Sequence, residues 1–163
     1  MDVNDLVNNL KEMRKYTLMV LDGVREEDWF RFPDGCHTHI GWQVGHLAIA
    51  EYGLTLRSIR GAQDSDDFIP AEYSKLFGRG SVPAAASENP SIDEIRTAFE
   101  AVHEHVMQEV PGFSEELLAE NVPFDHPLFK TKKQALSWCV NHEMTHAGQI
   151  AMIRRLLGYE IRF

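Results

Sequence analysis

The chain has 163 residues, of which 44% are hydrophobic and 25% are charged, and its formal net charge is −9. That length and composition are typical of one globular domain with a sizeable hydrophobic core, so we expect a single domain over residues 1–163. The acidic balance argues against a nucleic-acid partner, because such proteins neutralise phosphates with clustered Lys and Arg.

Two kinds of targeting segment are not evident in the sequence. No apolar stretch approaches the roughly 18 consecutive residues of a membrane span. The first residues, MDVNDLVNNLKEM, contain neither the basic nor the apolar region of an export signal. We therefore expect no membrane association and a cytoplasmic location. The two cysteines, Cys36 and Cys139, are too few to predict a disulfide framework.

Apolar residues recur at helical spacing in four long segments, and no segment alternates as a strand would. The first predicted helix is Asn4–Asp22, and Gly23 follows it. After a turn that holds a short helical piece at Glu26–Phe30, the second predicted helix is Ile40–Arg60. This second helix is apolar nearly all round, so we expect it to be well buried.

A long connection, residues 61–90, separates the second and third predicted helices and holds a short helical piece at Tyr73–Phe77. A connection of this length is uncommon, and in a helix bundle it serves to carry the chain from one end to the other. The last two long helices end near Val110 and Leu157, with another short piece at Ser114–Glu120 between them. Both begin with capping boxes: Ser91 with Glu94, and Thr131 with Gln134.

Two histidines of the fourth long helix, His142 and His146, are one turn apart and therefore lie on one face. Apolar residues share that face, so both imidazoles should point into the core. A buried imidazole needs a partner for each ring nitrogen, and one metal ion can serve both rings. The alternative is a polar patch in which the two rings bond to each other or to carboxylates.

A third ligand is needed, because a metal site that exchanges ligands usually has three protein ligands and one position left for water. His46 is the candidate, since the second and fourth long helices are both apolar and should face each other. If they are antiparallel, His46 and His146 lie at similar heights. The open position would then face the loop 24–38. The residues expected near that mouth are Arg25, Cys36, His37 and His39.

Several other residues compete for the ligand role. Cys139 lies one turn before His142 and could supply a thiolate, and the loop residues Cys36, His37 and His39 form a second possible ligand cluster. The remaining histidines are weaker candidates. His103 and His105 are expected at the surface of the third long helix, and His126 has no evident partner.

The pentapeptide from His142 to His146 also matches the zinc-protease motif H-E-x-x-H, in which Glu143 would activate a water molecule. The context does not fit that motif. Its extended form needs a glycine and a histidine where this chain has Gln149 and Met152. In addition, no strand is predicted that could hold an extended peptide. We therefore do not assign peptidase activity.

Two segments resemble the histidine motifs of the DinB-like (damage-inducible) family: residues 41–48, GWQVGHLA, and residues 141–150, NHEMTHAGQI. The order of four helices, with the long connection between the second and third, is similar too. The resemblance implies an all-α, up-down-down-up four-helix bundle that is often a homodimer. It also implies one divalent metal ion, zinc or nickel, bound by His46, His142 and His146.

Characterised members of the family include thiol-dependent transferases and an isomerase, so the resemblance implies a small-molecule substrate and a low-molecular-weight thiol as a possible cofactor. An ion held by three neutral imidazoles keeps its full charge and can acidify a bound thiol or water, which suits thiol S-transfer or hydrolysis. The alternative is a non-catalytic, stress-related protein with a structural or sensed ion. Cys139 as a fourth ligand would favour it. We expect Glu143 to support a ligating histidine and Gln149 to line the site.

Overall fold

A computed structural model describes residues 2–160, and this part of the chain is all-α. Within it the only β-type contact is an isolated bridge between Asn121 and Thr131. The helices are α1 (Val3–Leu21), α2 (Ile40–Tyr52), α3 (Tyr73–Phe77), α4 (Ile92–Glu109), α5 (Glu115–Ala119) and α6 (Lys132–Leu156). Short 3₁₀ turns lie at Glu26–Asp28, Ala86–Glu88 and Val110–Gly112. None of these helices is long and apolar enough to cross a membrane.

Side-chain caps determine where the long helices begin. The predicted capping boxes are both present, at Ser91 and Glu94 before α4 and at Thr131 and Gln134 before α6. Such boxes satisfy two backbone N–H groups that have no partner inside the helix. A third capping box, formed by Asp2 and Asp5, starts α1 and was not predicted.

The predicted second helix has the expected limits but is not uniformly α-helical. After α2 the chain makes a π-helical turn, Gly53–Arg57, and a last α-helical turn, Ser58–Arg60. The hydroxyl of Ser58 donates to the carbonyl of Gly53 across this turn. Gly61 then ends the helix with a φ of 84°, a conformation that glycine adopts without steric cost. Hydrophobic periodicity does not reveal a π turn, because it reports the burial of side chains and not the hydrogen-bond register.

The long helices pack in pairs: α1 against α6, α2 against α4, and α2 against α6. The core between them is apolar, and its largest fully buried side chains include Trp29, Tyr73, Phe77, Phe99 and Leu136. The short helix α3 packs on α2, because Gly45 offers no side chain at the contact. A Cβ added at Gly45 would lie 2.6 Å from the ring of Phe77. This close approach brings the backbone of Phe77 beside His46.

Candidate metal centre

The structure brings His46 of α2 together with His142 and His146 of α6. Each residue offers one ring nitrogen, and these atoms all lie within 4.8 Å of one another. The Nε2 atoms of His46 and His142 are 3.4 Å apart. His46 and His146 are buried, with exposed fractions of 8% and 9%, whereas His142 is half-buried. The cluster therefore opens towards solvent at His142.

Two of the three imidazoles, those of His46 and His146, donate a hydrogen bond from Nδ1 to an oxygen on the side of the ring that faces away from the cluster. The Nδ1 of His46 donates to the carbonyl oxygen of Phe77 at 2.6 Å, and the ring of His46 stacks on Trp42, with ring centroids 4.8 Å apart. The Nδ1 of His146 donates to Oε1 of Gln43, also at 2.6 Å. Such bonds fix the tautomer, so that Nε2 carries the lone pair of each ring. Both lone pairs are thus available to a ligand.

Gln43 also connects the cluster to the loop before α2. Its Nε2 donates to the hydroxyl of Thr38 at 3.0 Å, while its Oε1 accepts from His146. Gln43 is almost fully buried, with an exposed fraction of 1%. The orientation of His146 therefore depends on the loop as well as on α6.

Burial keeps the three imidazoles neutral. It lowers the pKa of His46, and the bond to the Phe77 carbonyl offsets only part of that effect. Burial, together with the charge that His46 would carry, lowers the pKa of His142 to about 4. Burial and the charges of both neighbours lower the pKa of His146 to about 3. At neutral pH the cluster consequently presents lone pairs and no positive charge.

These properties fit a divalent metal ion. Imidazole ligates metals in its neutral form, and a zinc ion with Zn–N bonds of about 2.0–2.1 Å in tetrahedral geometry needs ligand atoms about 3.3–3.4 Å apart. The separation between His46 and His142 already has that value. Within residues 2–160, no cysteine or carboxylate joins the three histidines in such a group.

The residues expected at the mouth have other roles. His39 caps α2: its Nδ1 accepts from the amide of Trp42 at 3.0 Å, and its Nε2 donates to the carbonyl of Ala84 at 2.9 Å. Arg25 pairs with Asp28, with 2.7 Å between Nη2 and Oδ2. Cys36 donates from its Sγ to the Thr38 carbonyl at 3.5 Å, and His37 is exposed. None of the four belongs to the histidine cluster.

Cys139 is fully enclosed beneath the cluster, with an exposed fraction of 2%. Burial raises the pKa of its thiol well above the ordinary value, and the negative charges of Glu51 and Glu143 act in the same direction. Its Sγ is not among the ligand atoms that lie together at the cluster, although Cys139 lies one helical turn before His142.

Glu143 does not support a histidine, which corrects the sequence-based expectation. Its Oε1 accepts from Nε of Arg14 at 2.8 Å, and Nη2 of Arg14 also pairs with Glu51 at 2.6 Å. Arg14 donates a further bond to the carbonyl of Phe99 and lies over that residue's ring. One arginine from α1 therefore contacts α2, α4 and α6. The binding of Glu143 to Arg14 also removes it from the role of a protease general base.

His103 was expected at the surface but is part of the same charged cluster. Its Nδ1 donates to Oε1 of Glu51 at 2.8 Å, and its side chain is only 15% exposed. Burial opposes ionisation of Glu51, but the charge of Arg14 and the bond from His103 together lower its pKa. Two other histidines stack on aromatic rings: His105 on Phe68 and His126 on Phe129, each with ring centroids 3.9 Å apart.

The sequence did not reveal Gln43 or Arg14 as parts of these clusters. A signal for Arg14 was present, because it lies one turn after Leu10 on the apolar face of α1. A charged residue on an apolar face is almost never fully buried unless it is paired. Gln43 had a comparable signal, since it is one of the few polar residues, with His46 and Glu51, in a mostly apolar helix.

The chain matches the family model of the DinB superfamily over residues 9–150. It belongs to that superfamily, because the match covers most of its length. A comparison with curated proteins found no match.

Proposed function

We propose that this member of the DinB superfamily binds one divalent metal ion, zinc or nickel, through His46, His142 and His146. One observation carries the proposal: three imidazoles bring ring nitrogens within 4.8 Å of one another, and oxygen acceptors hold two of them so that their Nε2 lone pairs face the cluster. The neutral ring of His142 can donate to only one of these two acceptors, and a buried acceptor without a donor is unfavourable. A cation bound between them removes that cost.

We further propose that the ion has one open coordination position, directed to the solvent side at His142. The absence of a fourth protein ligand among residues 2–160 and the partial exposure of His142 support this arrangement. When bound, the ion would supply a positive charge that lowers the pKa of a thiol or water beside it. The chain itself orients the imidazoles through Phe77 and Gln43.

The reaction that suits this arrangement is metal-dependent chemistry on a small molecule, either thiol S-transfer with a low-molecular-weight thiol or hydrolysis. The second candidate is a non-catalytic protein with a structural or sensed ion. A filled fourth position would favour that candidate, and the position of Cys139 outside the ligand group speaks against the thiol that could fill it.

For the fold, we propose an up-down-down-up four-helix bundle in one domain. Contacts along the helices support it. Arg14 pairs with Glu143, and Arg154 donates to the Val20 carbonyl, so α1 and α6 are parallel. Glu51 pairs with His103 and Arg60 pairs with Glu109, so α2 and α4 are also parallel. Gln43 bonds His146, whereas Glu51 shares Arg14 with Glu143, so α2 and α6 are antiparallel.

Metal content tests the proposal. Purified protein should contain close to one equivalent of zinc or nickel by elemental analysis. Protein stripped with a chelator should regain one equivalent on reconstitution. His142→Ala should abolish this uptake, because two imidazoles remain where three are needed. Stripped protein that takes up no metal would contradict the proposal.

Cys139→Ser is the matched control, since Cys139 lies one turn from His142 on the same helix. It should retain one equivalent. Loss of metal from Cys139→Ser together with retention in His142→Ala would transfer the ligand role to the cysteine. The homodimer and the cytoplasmic location stay predictions.

A further inference from the structure

A cavity of about 460 Å³ lies between the π-helical turn after α2 and the loop that precedes α6, and it begins at Ala50, one helical turn after His46. Ligand sites for small molecules typically have volumes of about 300–1,000 Å³. Six of its lining residues matter here: Ala50, Leu54, Arg57, Phe124, His126 and Phe129.

Helix positions place this cavity next to the histidines. Ala50 follows His46 by one turn on α2. On α6, Trp138 precedes His142 by one turn, and Trp138 packs against the small apolar cluster that contains Phe129 of the cavity wall. Because α2 and α6 pack against each other, Ala50 and Trp138, each one turn from a histidine, lie at the same end of the histidine cluster.

The wall opposite α2 is aromatic. Phe129 is buried, whereas Phe124 is 46% exposed, and the two rings meet edge to face with centroids 6.2 Å apart. His126 stacks on the other side of Phe129. An exposed ring in a concave wall can stack with an apolar or aromatic ligand.

Arg57 is the one Lys, Arg, Asp or Glu among the described residues that line the cavity, although the protein as a whole carries a net charge of −9. The guanidinium of Arg57 is exposed and forms no ion pair or hydrogen bond with another residue of the described part. Arg79 is near enough to His126 that its charge, after burial, contributes to lowering the pKa of that histidine. None of the described lining residues of the cavity is acidic. These features favour an anionic ligand.

We propose that this cavity binds the substrate: an anionic small molecule with an apolar or aromatic body, whose carboxylate or phosphate pairs with Arg57 while its other end reaches the histidines. This inference rests on the proposed metal function. At 1.5 Å per residue, Arg57 lies about 16 Å along the helix from His46, so the ligand spans about 10–15 Å.

Two matched probes, each shorter than the full ligand, test the Arg57 end of the cavity: 1-naphthoate, which carries a carboxylate, and 1-naphthamide, which is neutral and has nearly the same shape. Binding of each is measured by isothermal titration calorimetry to the zinc-reconstituted protein. Arg57→Gln should weaken naphthoate binding about tenfold and leave naphthamide unchanged, because a charge-assisted bond is lost. Raising the salt concentration should weaken binding of naphthoate only.

Arg155→Gln is the control, because Arg155 is equally exposed but lies on α6 away from the cavity. It should bind both probes as the unmodified protein does. Failure of naphthoate to bind, equal binding of the two probes, or equal effects of Arg57→Gln and Arg155→Gln would each overturn the inference. Metal content is measured on every sample. If the zinc content is normal but Arg57→Gln does not change probe binding, only the proposed substrate cavity is refuted. If the protein binds no zinc, the proposed function is refuted.

Discussion

Two polar clusters lie next to each other in the core. One contains a cation and the carboxylates that pair with it, whereas the other contains only histidine rings. In the charged cluster, the guanidinium of Arg14 bonds the carboxylates of Glu51 and Glu143, and both carboxylates are 2% exposed. In the histidine cluster, three neutral rings face one another, and the Nε2 atoms of His46 and His142 are 3.4 Å apart. His142 and Glu143 are neighbours in sequence and point into different clusters. The charged cluster therefore contains its own counter-charge, whereas the histidine cluster presents ring nitrogens to the metal ion proposed above.

The largest expected effect concerns the charged cluster. Arg14→Met keeps most of the side-chain volume but leaves two carboxylates buried without a cation. We expect the free energy of unfolding to fall by about 3–5 kcal/mol, since uncompensated buried charge costs that much. Chemical denaturation followed by circular dichroism measures it.

The adjacent Lys15→Met is the control for that substitution. Lys15 pairs with Glu12, but the side chains of both residues are more than half exposed. Surface pairs contribute roughly 0–1 kcal/mol, so the unfolding free energy should change by less than about 1 kcal/mol. Similar losses in Arg14→Met and Lys15→Met would show that the charged cluster does not stabilise the core.

An intermediate effect is expected at the histidine cluster, on metal affinity more than on folding. Gln43→Leu removes the oxygen that orients His146 and should lower zinc affinity about 10–100-fold, as loss of such a partner typically does. Competition with a chromophoric chelator measures the affinity. Gln149→Leu is the control, because no bond joins Gln149 to a histidine within residues 2–160. An equal loss in both variants would assign the supporting role to both glutamines.

The smallest effect is a pH dependence of the metal-free protein. The pKa values of His142 and His146, about 4 and about 3, lie below the ordinary value of 6.5. The unfolded chain therefore takes up protons first as the pH falls, and the free energy of unfolding decreases from pH 6.5 towards pH 5. The slope is at most about 1.4 kcal/mol per pH unit for each histidine.

His142→Ala should make that slope shallower in denaturation experiments repeated across the same pH range. Glu51 of the charged cluster gives no such signal in this window, because its pKa is lowered from the ordinary value of 4.5. An unchanged slope in His142→Ala would mean that His142 is not held neutral by burial.

Most of the secondary structure could be predicted from the sequence, because it follows from local rules. The limits of α3 match the prediction, and the capping boxes of α4 and α6 are where the motif places them. The helix cap by His39 was missed, since an imidazole is an uncommon cap and its bond to Ala84 crosses 45 residues.

The candidate site could be predicted only in part. The shared face of His142 and His146 follows from helical spacing, but the position of His46 beside them depends on packing across 96 residues. Arg14, Glu51 and Glu143 were not predicted to pair. The apolar faces of α1 and α2 indicate that Arg14 and Glu51 are buried. Their pairing follows from the four helices meeting at one point, and no local pattern contains that information.

The position of α6 in both clusters has a consequence for folding. It carries two of the three histidines and the carboxylate of Glu143, which meets Arg14 across 129 residues. Closing loops of that length costs chain entropy before any contact repays it, so we expect such contacts to form late. Docking of α6 onto α1 and α2 would then complete both clusters. If the protein binds metal as proposed, metal uptake during refolding would report this docking and not the time at which the helices form.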